Sequence, residues 1–208
     1  DYKLVFANGV IRKVLFTPLI AATLGGSMAW AATLQVMWGV PEGLGWAKSL
    51  VALAYTVTLF VVDDLSRYLL HRAMHRVPSL WELHKVHHSA EVLTPVTLYR
   101  IHPLESFFSA VRASVVTALV VGTFFYFFRG QLSLLELFGV NAIGFALTAA
   151  GANLRHSHVR LTFGRWLEGW FISPVQHQIH HSRAAEHHDK NFGSLLAIWD
   201  RLGRTLVR

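Results

Sequence analysis

The stretch "SLVALAYTVTLFVVDDLSRYLLHRAMH", Ser49–His75, begins as an uncharged apolar run and ends on two histidines four residues apart. The run to Val62 is short for a bilayer crossing, which takes about 20 residues. It continues through Asp63, Asp64 and Arg67, however, with apolar residues on one face and polar ones on another. The pattern predicts one helix that leaves the bilayer and keeps going. Outward from it, Val14 to Val40 carries no charge and lies too far in, and runs too long, for a cleaved signal peptide. Leu104 to Phe128 and Leu132 to Leu154 are two more apolar runs, joined by Arg129, Gly130 and Gln131 as a tight turn.

These runs predict an all-α integral membrane protein with about four transmembrane helices, at residues 14–40, 48–70, 104–128 and 132–154, paired as two hairpins. Residues 71–103 and 155–200 then form a helical, histidine-rich cap, and 1–208 reads as a single domain. Composition agrees, because 53% hydrophobic and 15% charged residues are too apolar a mixture for a soluble domain with one core. No cysteine is present, which excludes disulfides, thiolate metal sites and a thiol nucleophile. The chain opens on Asp1 rather than methionine, as a trimmed or partial sequence does.

Charge gives an orientation. Arg12 and Lys13 precede the first run, Arg67, Arg72, Arg76, Lys85 and Arg100 lie between the second and third, and Arg155, Arg160 and Arg165 follow the fourth. The other two connections offer Lys48 and Arg129. The positive-inside tendency therefore places both termini and the middle loop in the cytoplasm. All thirteen histidines fall in that loop or after the fourth run, so they share one side.

Their spacing points to metal. His71 and His75 are four apart, His84, His87 and His88 follow at three and four, and His177, His180 and His181 repeat that pattern. On a helix such residues project from one face, about 6 Å apart. A lone HxxxH at a membrane edge is usually interfacial polarity, but three such clusters on one side outweigh that reading. Eight imidazoles exceed what one ion can use, so two ions are expected, with iron, zinc, copper and nickel all suited to imidazole. At least one of His156 and His158 is expected to complete the coordination, with His156 favoured. His102 reads as a ligand or as a group that holds one, with Glu105 beside it, whereas His187 and His188 read as outer or surface residues. Asp64 lies seven residues before His71 and eleven before His75, so its carboxylate shares their face and could accept an outer imidazole N–H. Asp63 points about 100° away. Asn153, Asp189 and Asn191 are further candidates for orienting ligands.

The ordered set "DDLSRYLLHRAMH", "WELHKVHHS", "RIHPLE", "NLRHSHV", "HQIHHSRAAEHHDKNFG" and "WDRL" resembles the fatty acid hydroxylase and sterol desaturase superfamily, from about Asp63 to the C-terminus. The resemblance implies a four-helix membrane anchor with a cytosolic cap that holds two iron ions and uses O2 to hydroxylate or desaturate a lipid C–H bond. It implies His71, His75, His84, His87, His88, His156, His177, His180 and His181 as ligands. His158 stands where the family pattern more often has Asn or Gly and stays a candidate, and the tail "WDRLGRT" lacks the usual aromatic residue. Attack on a strong C–H bond calls for a redox-active metal, so zinc would mark replacement during purification rather than function.

No haem, flavin or nicotinamide motif is present, so electrons must come from an external reductase or small carrier. A metal transporter would set its ligands within the spans, and a zinc hydrolase would need a glutamate in an HExxH pattern. The net charge of +7 is strewn at helix ends rather than gathered in a run, which favours anionic headgroups over nucleic acid.

Overall fold

The computed structural model describes residues 2–129, 131, 151 and 154–208. Among them the secondary structure is helical, with α1 at Tyr2–Trp38, α2 at Lys48–Arg76, α3 at Pro78–His88 and α4 at Pro103–Phe127. Three short helices follow, α5 at Gly164–Leu167, α6 at Pro174–His180 and α7 at Ile198–Gly203, with 3-10 turns at Pro95–Tyr99 and Ala185–His187. Extended pairing among the described residues is limited to a bridge between Phe171 and Leu196.

The all-helical expectation holds, and α1, α2 and α4 are each long and apolar enough to cross a membrane. The fourth expected span, 132–154, lies almost wholly outside the described residues, as does Asn153. α1 starts at Tyr2, well before the apolar run at Val14, because Arg12 and Lys13 are good helix formers that interrupt hydropathy without interrupting the helix. Pro18 sits inside it. α2 runs unbroken past Asp63 and Asp64 to Arg76, as the opening stretch predicts. It stops there because Pro78 disfavours a helical conformation at the residue before it, and Val77 is extended.

The chain packs as two compact units. One contains Lys13–Asp63 and Ala110–Ala146. Its helices turn their apolar side chains outward: only 6% of the most apolar window of α1 is buried, and 22% of those of α2 and α4. In water such surface would be driven inward at roughly 25 cal/mol per Å2, so hydrocarbon is the solvent these faces suit. Inside this unit Val51, Tyr55 and Leu59 of α2 pack on Val120 and Val121 of α4. Where α1 meets α4, a side chain at Gly122 would lie 2.5 Å from the Ser27 carbonyl oxygen, so only glycine permits the approach. Polar pairs join the same helices, Thr23 to Ser114 at 2.7 Å and Trp30 Nε1 to Thr123 Oγ1 at 2.9 Å. Asp63 accepts from Arg112 Nη1 at 2.7 Å.

The other unit contains Asp1–Arg12, Asp64–Ser109 and Leu147–Arg208, and every histidine of the chain belongs to it.

Candidate metal centre

Three local devices present the histidines. The break at Val77 and Pro78 folds α3 back from α2, so that His71 and His75 face His84 and His88. α6 begins in a capping box, with Ser173 Oγ accepting from the Gln176 N–H and Gln176 Oε1 accepting from the Ser173 N–H. Pro174 at its first position fixes the start, and His177, His180 and His181 follow within its remaining turn and cap.

The imidazoles form two groups, each with one ligating atom per residue and all such atoms within 4.8 Å of one another. The first is His71, His75, His84, His88 and His180. Its five Nε2 atoms are buried and make no hydrogen bond. One such orphan costs about 1–3 kcal/mol, so five that converge describe a cradle for a cation. The second group is His87, His156, His177 and His181. Here His156 Nε2 lies 3.1 Å from His87 Nε2 and 2.9 Å from His177 Nε2, which is itself 3.2 Å from His181 Nε2. Four lone-pair-bearing nitrogens turned on one another fit a shared cation better than they fit each other. The groups abut where the rings of His88 and His181 stack at 4.4 Å.

Burial, reinforced by neighbouring imidazoles, pushes the pKa values of His84, His87, His88, His177, His180 and His181 well below the usual histidine value. These rings are therefore neutral at pH 7, the form that ligates metal.

Outer nitrogens of the first group are held by fixed acceptors. His84 Nδ1 meets Glu105 Oε1 at 2.9 Å, His71 Nδ1 meets the Phe192 carbonyl at 2.8 Å, and His180 Nδ1 meets the Lys190 carbonyl at 2.7 Å. Each contact places the N–H outward and leaves Nε2 free toward the centre. Each of the two carbonyl residues follows a left-handed one that aims it, Asp189 at φ 58° before Lys190 and Asn191 at φ 54° before Phe192. Asn191 is fully buried and braces the turn, donating to the Gln176 carbonyl and accepting from the Val207 N–H. Asp200 accepts from the N–H groups of Phe192 and Gly193. A side chain at Gly193 would fall 2.8 Å from that carboxylate.

Several expectations need correction. Asp64 does not orient His71 or His75: it is buried and accepts from the backbone N–H of Leu195 and Leu196 and from Trp199 Nε1, at 3.0 to 3.1 Å. Helical phase puts it on the right face, but the segment packed there offers three donors of its own. Glu105 belongs with His84 rather than His102. His102 instead accepts from the Leu104 N–H at 3.2 Å at the start of α4. His158 is exposed and lies in neither group, because the turn after His156 carries it outward. His187 and His188 also lie in neither group. Asp189 stands 3.8 Å from His75 Nδ1 and 3.4 Å from Arg76 Nε. Sequence reasoning missed the bracing by Asp200, although "WDRL" was among the motifs, and the rings of Trp81 and Phe192, which pack on the first group.

An opening of about 400 Å3 reaches His75, His88, His180 and Trp81, with Arg183, His188 and Asp189 at its sides.

Outward-facing apolar helices joined in one chain to a double imidazole cluster define a histidine-rich membrane protein. Residues 56–205, well over half the chain, match the fatty acid hydroxylase family, and the chain belongs to it. It is 28% identical over 151 residues to the ornithine lipid hydroxylase OlsE of Rhizobium tropici, covering 72% of this chain and 41% of that protein. It is 29% identical over 148 residues to the alkylglycerol monooxygenase of Danio rerio, covering 71% and 29%. Similarity to the Delta(7)-sterol 5(6)-desaturase of Eremothecium gossypii is 25% over 189 residues, covering 86% and 48%. The chain thus spans less than half the length of each of these relatives. No solved structure matches it.

Proposed function

We propose that this protein uses O2 and external electrons to hydroxylate or desaturate an unactivated C–H bond of a lipid, at two iron ions held by the nine clustered imidazoles. The observation that carries this reading is the pair of converging nitrogen sets, five and four, in a member of a lipid-oxidising family. His71, His75, His84, His88 and His180 would hold one ion, and His87, His156, His177 and His181 the other. Iron there would supply the redox chemistry toward O2 and a C–H bond that zinc lacks.

The chain's own part is preparation. Burial keeps the imidazoles neutral, so no proton has to leave before they ligate. Glu105 and the carbonyls of Lys190 and Phe192 fix which nitrogen faces inward. Phe192, fully buried, shields one side of the first group from water, whereas Trp81 lines the opening on the other. Electrons would come from a reductase or small carrier outside these 208 residues, which hold no redox cofactor motif. The Arg and Lys distribution supports a cytoplasmic side for the centre and both termini. Lipid is the substrate, and sterol, fatty acyl and ether lipids all meet the requirement of a long apolar body.

Two measurements on one pair of strains test this. Purified protein is expected to hold two metal ions per chain, and His87→Ala to hold fewer while still inserting. Lipid extracts from aerobic cells expressing the wild type are expected to show a hydroxylated or newly unsaturated lipid that the His87→Ala cells lack. Identical lipid profiles, with wild-type protein iron-loaded and a reductase present, would refute the proposal. Zinc in the purified sample is no objection, because zinc outranks ferrous iron in affinity for such ligands.

A further inference from the structure

A second cavity, of about 360 Å3, shares no lining residue with the opening beside Trp81. Leu154, Phe163, Leu167, Phe171, Ile172 and Leu195 form most of its wall, and almost no polar surface faces it. Ligand pockets run from roughly 300 to 1,000 Å3, so this one has room for part of a molecule rather than a whole lipid. Arg155 is the one charged residue among the described lining and turns almost no polar surface into the cavity, so the wall suits hydrocarbon rather than a headgroup.

The rim faces outward. Leu154, Phe163, Leu167 and Phe171 line the cavity and yet are 40% to 53% exposed. Beside them in the chain Trp166 is 76% exposed and Trp170 44%. Basic residues are interleaved, with Arg160 and Arg165 exposed and the Arg201 guanidinium over the Trp170 ring at 5.4 Å. Tryptophan and arginine mixed on one exposed apolar surface is the composition of a face seated at headgroup level. The inner wall lies beside the four-imidazole group, since Pro174 lies one turn before His177 on α6 and another lining residue, Arg155, immediately precedes His156 and is close enough for its charge to act on His177.

We propose that this cavity takes up the alkyl chain of a bilayer lipid, which enters across the Phe163 to Phe171 rim while its headgroup stays outside near Arg160 and Arg165. The chain is thereby brought against the four-imidazole group. Only the identification of the bound chain as substrate rests on the lipid-oxidising function; occupancy of the cavity does not.

The test uses the whole chain in lipid nanodiscs with a phospholipid carrying a diazirine at mid-chain, photolysed and mapped by mass spectrometry. Label is expected on peptides bearing Phe163 to Pro174 and Leu195, and is expected to fall several-fold under excess unlabelled phospholipid with free fatty acid as a second competitor. Label on Trp166, exposed and outside the lining, is not expected to saturate. Leu167→Trp and Leu195→Trp fill the cavity and are each expected to lower the saturable label several-fold with metal content unchanged. Leu202→Trp, exposed and outside the lining, leaves it intact. Labelling that is unsaturable, confined to α1, α2 and α4, or unmoved by both filling substitutions overturns the proposal. His87→Ala is expected to keep the saturable label, so failure of the metal reading and failure of the cavity remain distinguishable.

Discussion

Glu105 and Asp64 show how two buried carboxylates of one unit divide their work. Glu105 meets an imidazole, so Glu105→Gln, which keeps an acceptor but removes the charge, is expected to weaken metal binding at the five-imidazole group by about 10 to 100 fold. Among the described residues, Asp64 accepts from the Leu195 to Trp199 segment, with the charges of Arg67 and Arg155 nearby. Asp64→Asn replaces one acceptor oxygen with a donor facing other donors, and hydrogen bonds to a charged group contribute about 1.5–3 kcal/mol each. Its expected effect is a loss of roughly 2–3 kcal/mol in stability with a smaller change in metal affinity. Metal titration and thermal unfolding of the two variants in one detergent check both, and the opposite assignment of effects would show the carboxylates misread. The sequence carries half of this distinction. Periodicity places Asp64 on the face of His71 and His75, because phase is local. Which group fills that face is decided by residues 131 positions away, and pairing at that range leaves no mark on spacing. The same limit hid Glu105 from His84 and set it instead with its neighbour His102.

At the level of elements, the pieces read in advance are those with a strong local cause: the unbroken α2 and the two HxxHH clusters. The break before Pro78 has a cause as local and went unread. The left-handed turn from Asp189 to Gly193 is of another kind. "DKNFG" contains residues that tolerate positive φ, but their use in aiming two carbonyls at His71 and His180 follows only from the packing around Asp200 and Gln176. Asn191→Ala tests this turn. An alanine held in the left-handed region costs about 1–2 kcal/mol, and the Gln176 carbonyl and Val207 N–H lose buried partners at about 1–3 kcal/mol each. The net loss expected is roughly 3 kcal/mol. Asn191→Gly relieves the backbone alone, so it is expected to recover about 1 kcal/mol of that. Because the turn backs His71 and His180, both substitutions are expected to empty the five-imidazole group before the four-imidazole group. Metal analysis showing equal loss from both groups would detach the turn from this role.

Over the whole molecule, a chain of net charge +7 with histidines uncharged keeps nine imidazoles in a common interior. That arrangement depends on pH in a direction the burial fixes. Eight of them, His71, His75, His84, His87, His88, His177, His180 and His181, have pKa values driven down by burial, reinforced at all but His71 by neighbouring imidazoles. In the unfolded chain each returns to about 6.5. Between the folded and unfolded values the unfolded chain binds more protons, so stability is full above about pH 6.5 and is lost as pH falls. At pH 5.5 the loss is about 1.4 kcal/mol for each imidazole that stays neutral in the fold. Several together approach the roughly 5–15 kcal/mol that holds a typical domain. Bound metal opposes this by mass action, since only the folded arrangement gathers its ligands, so metal-loaded protein tolerates acid further than chelated protein. The midpoint of thermal unfolding of the chelated protein is expected to drop steeply between pH 7.5 and 5.5, and that of the loaded protein to drop later and with release of the metal. A chelated protein whose midpoint stays level across that interval would mean that the imidazoles are not held neutral by the fold, and the converging nitrogens would then have another cause than readiness for metal.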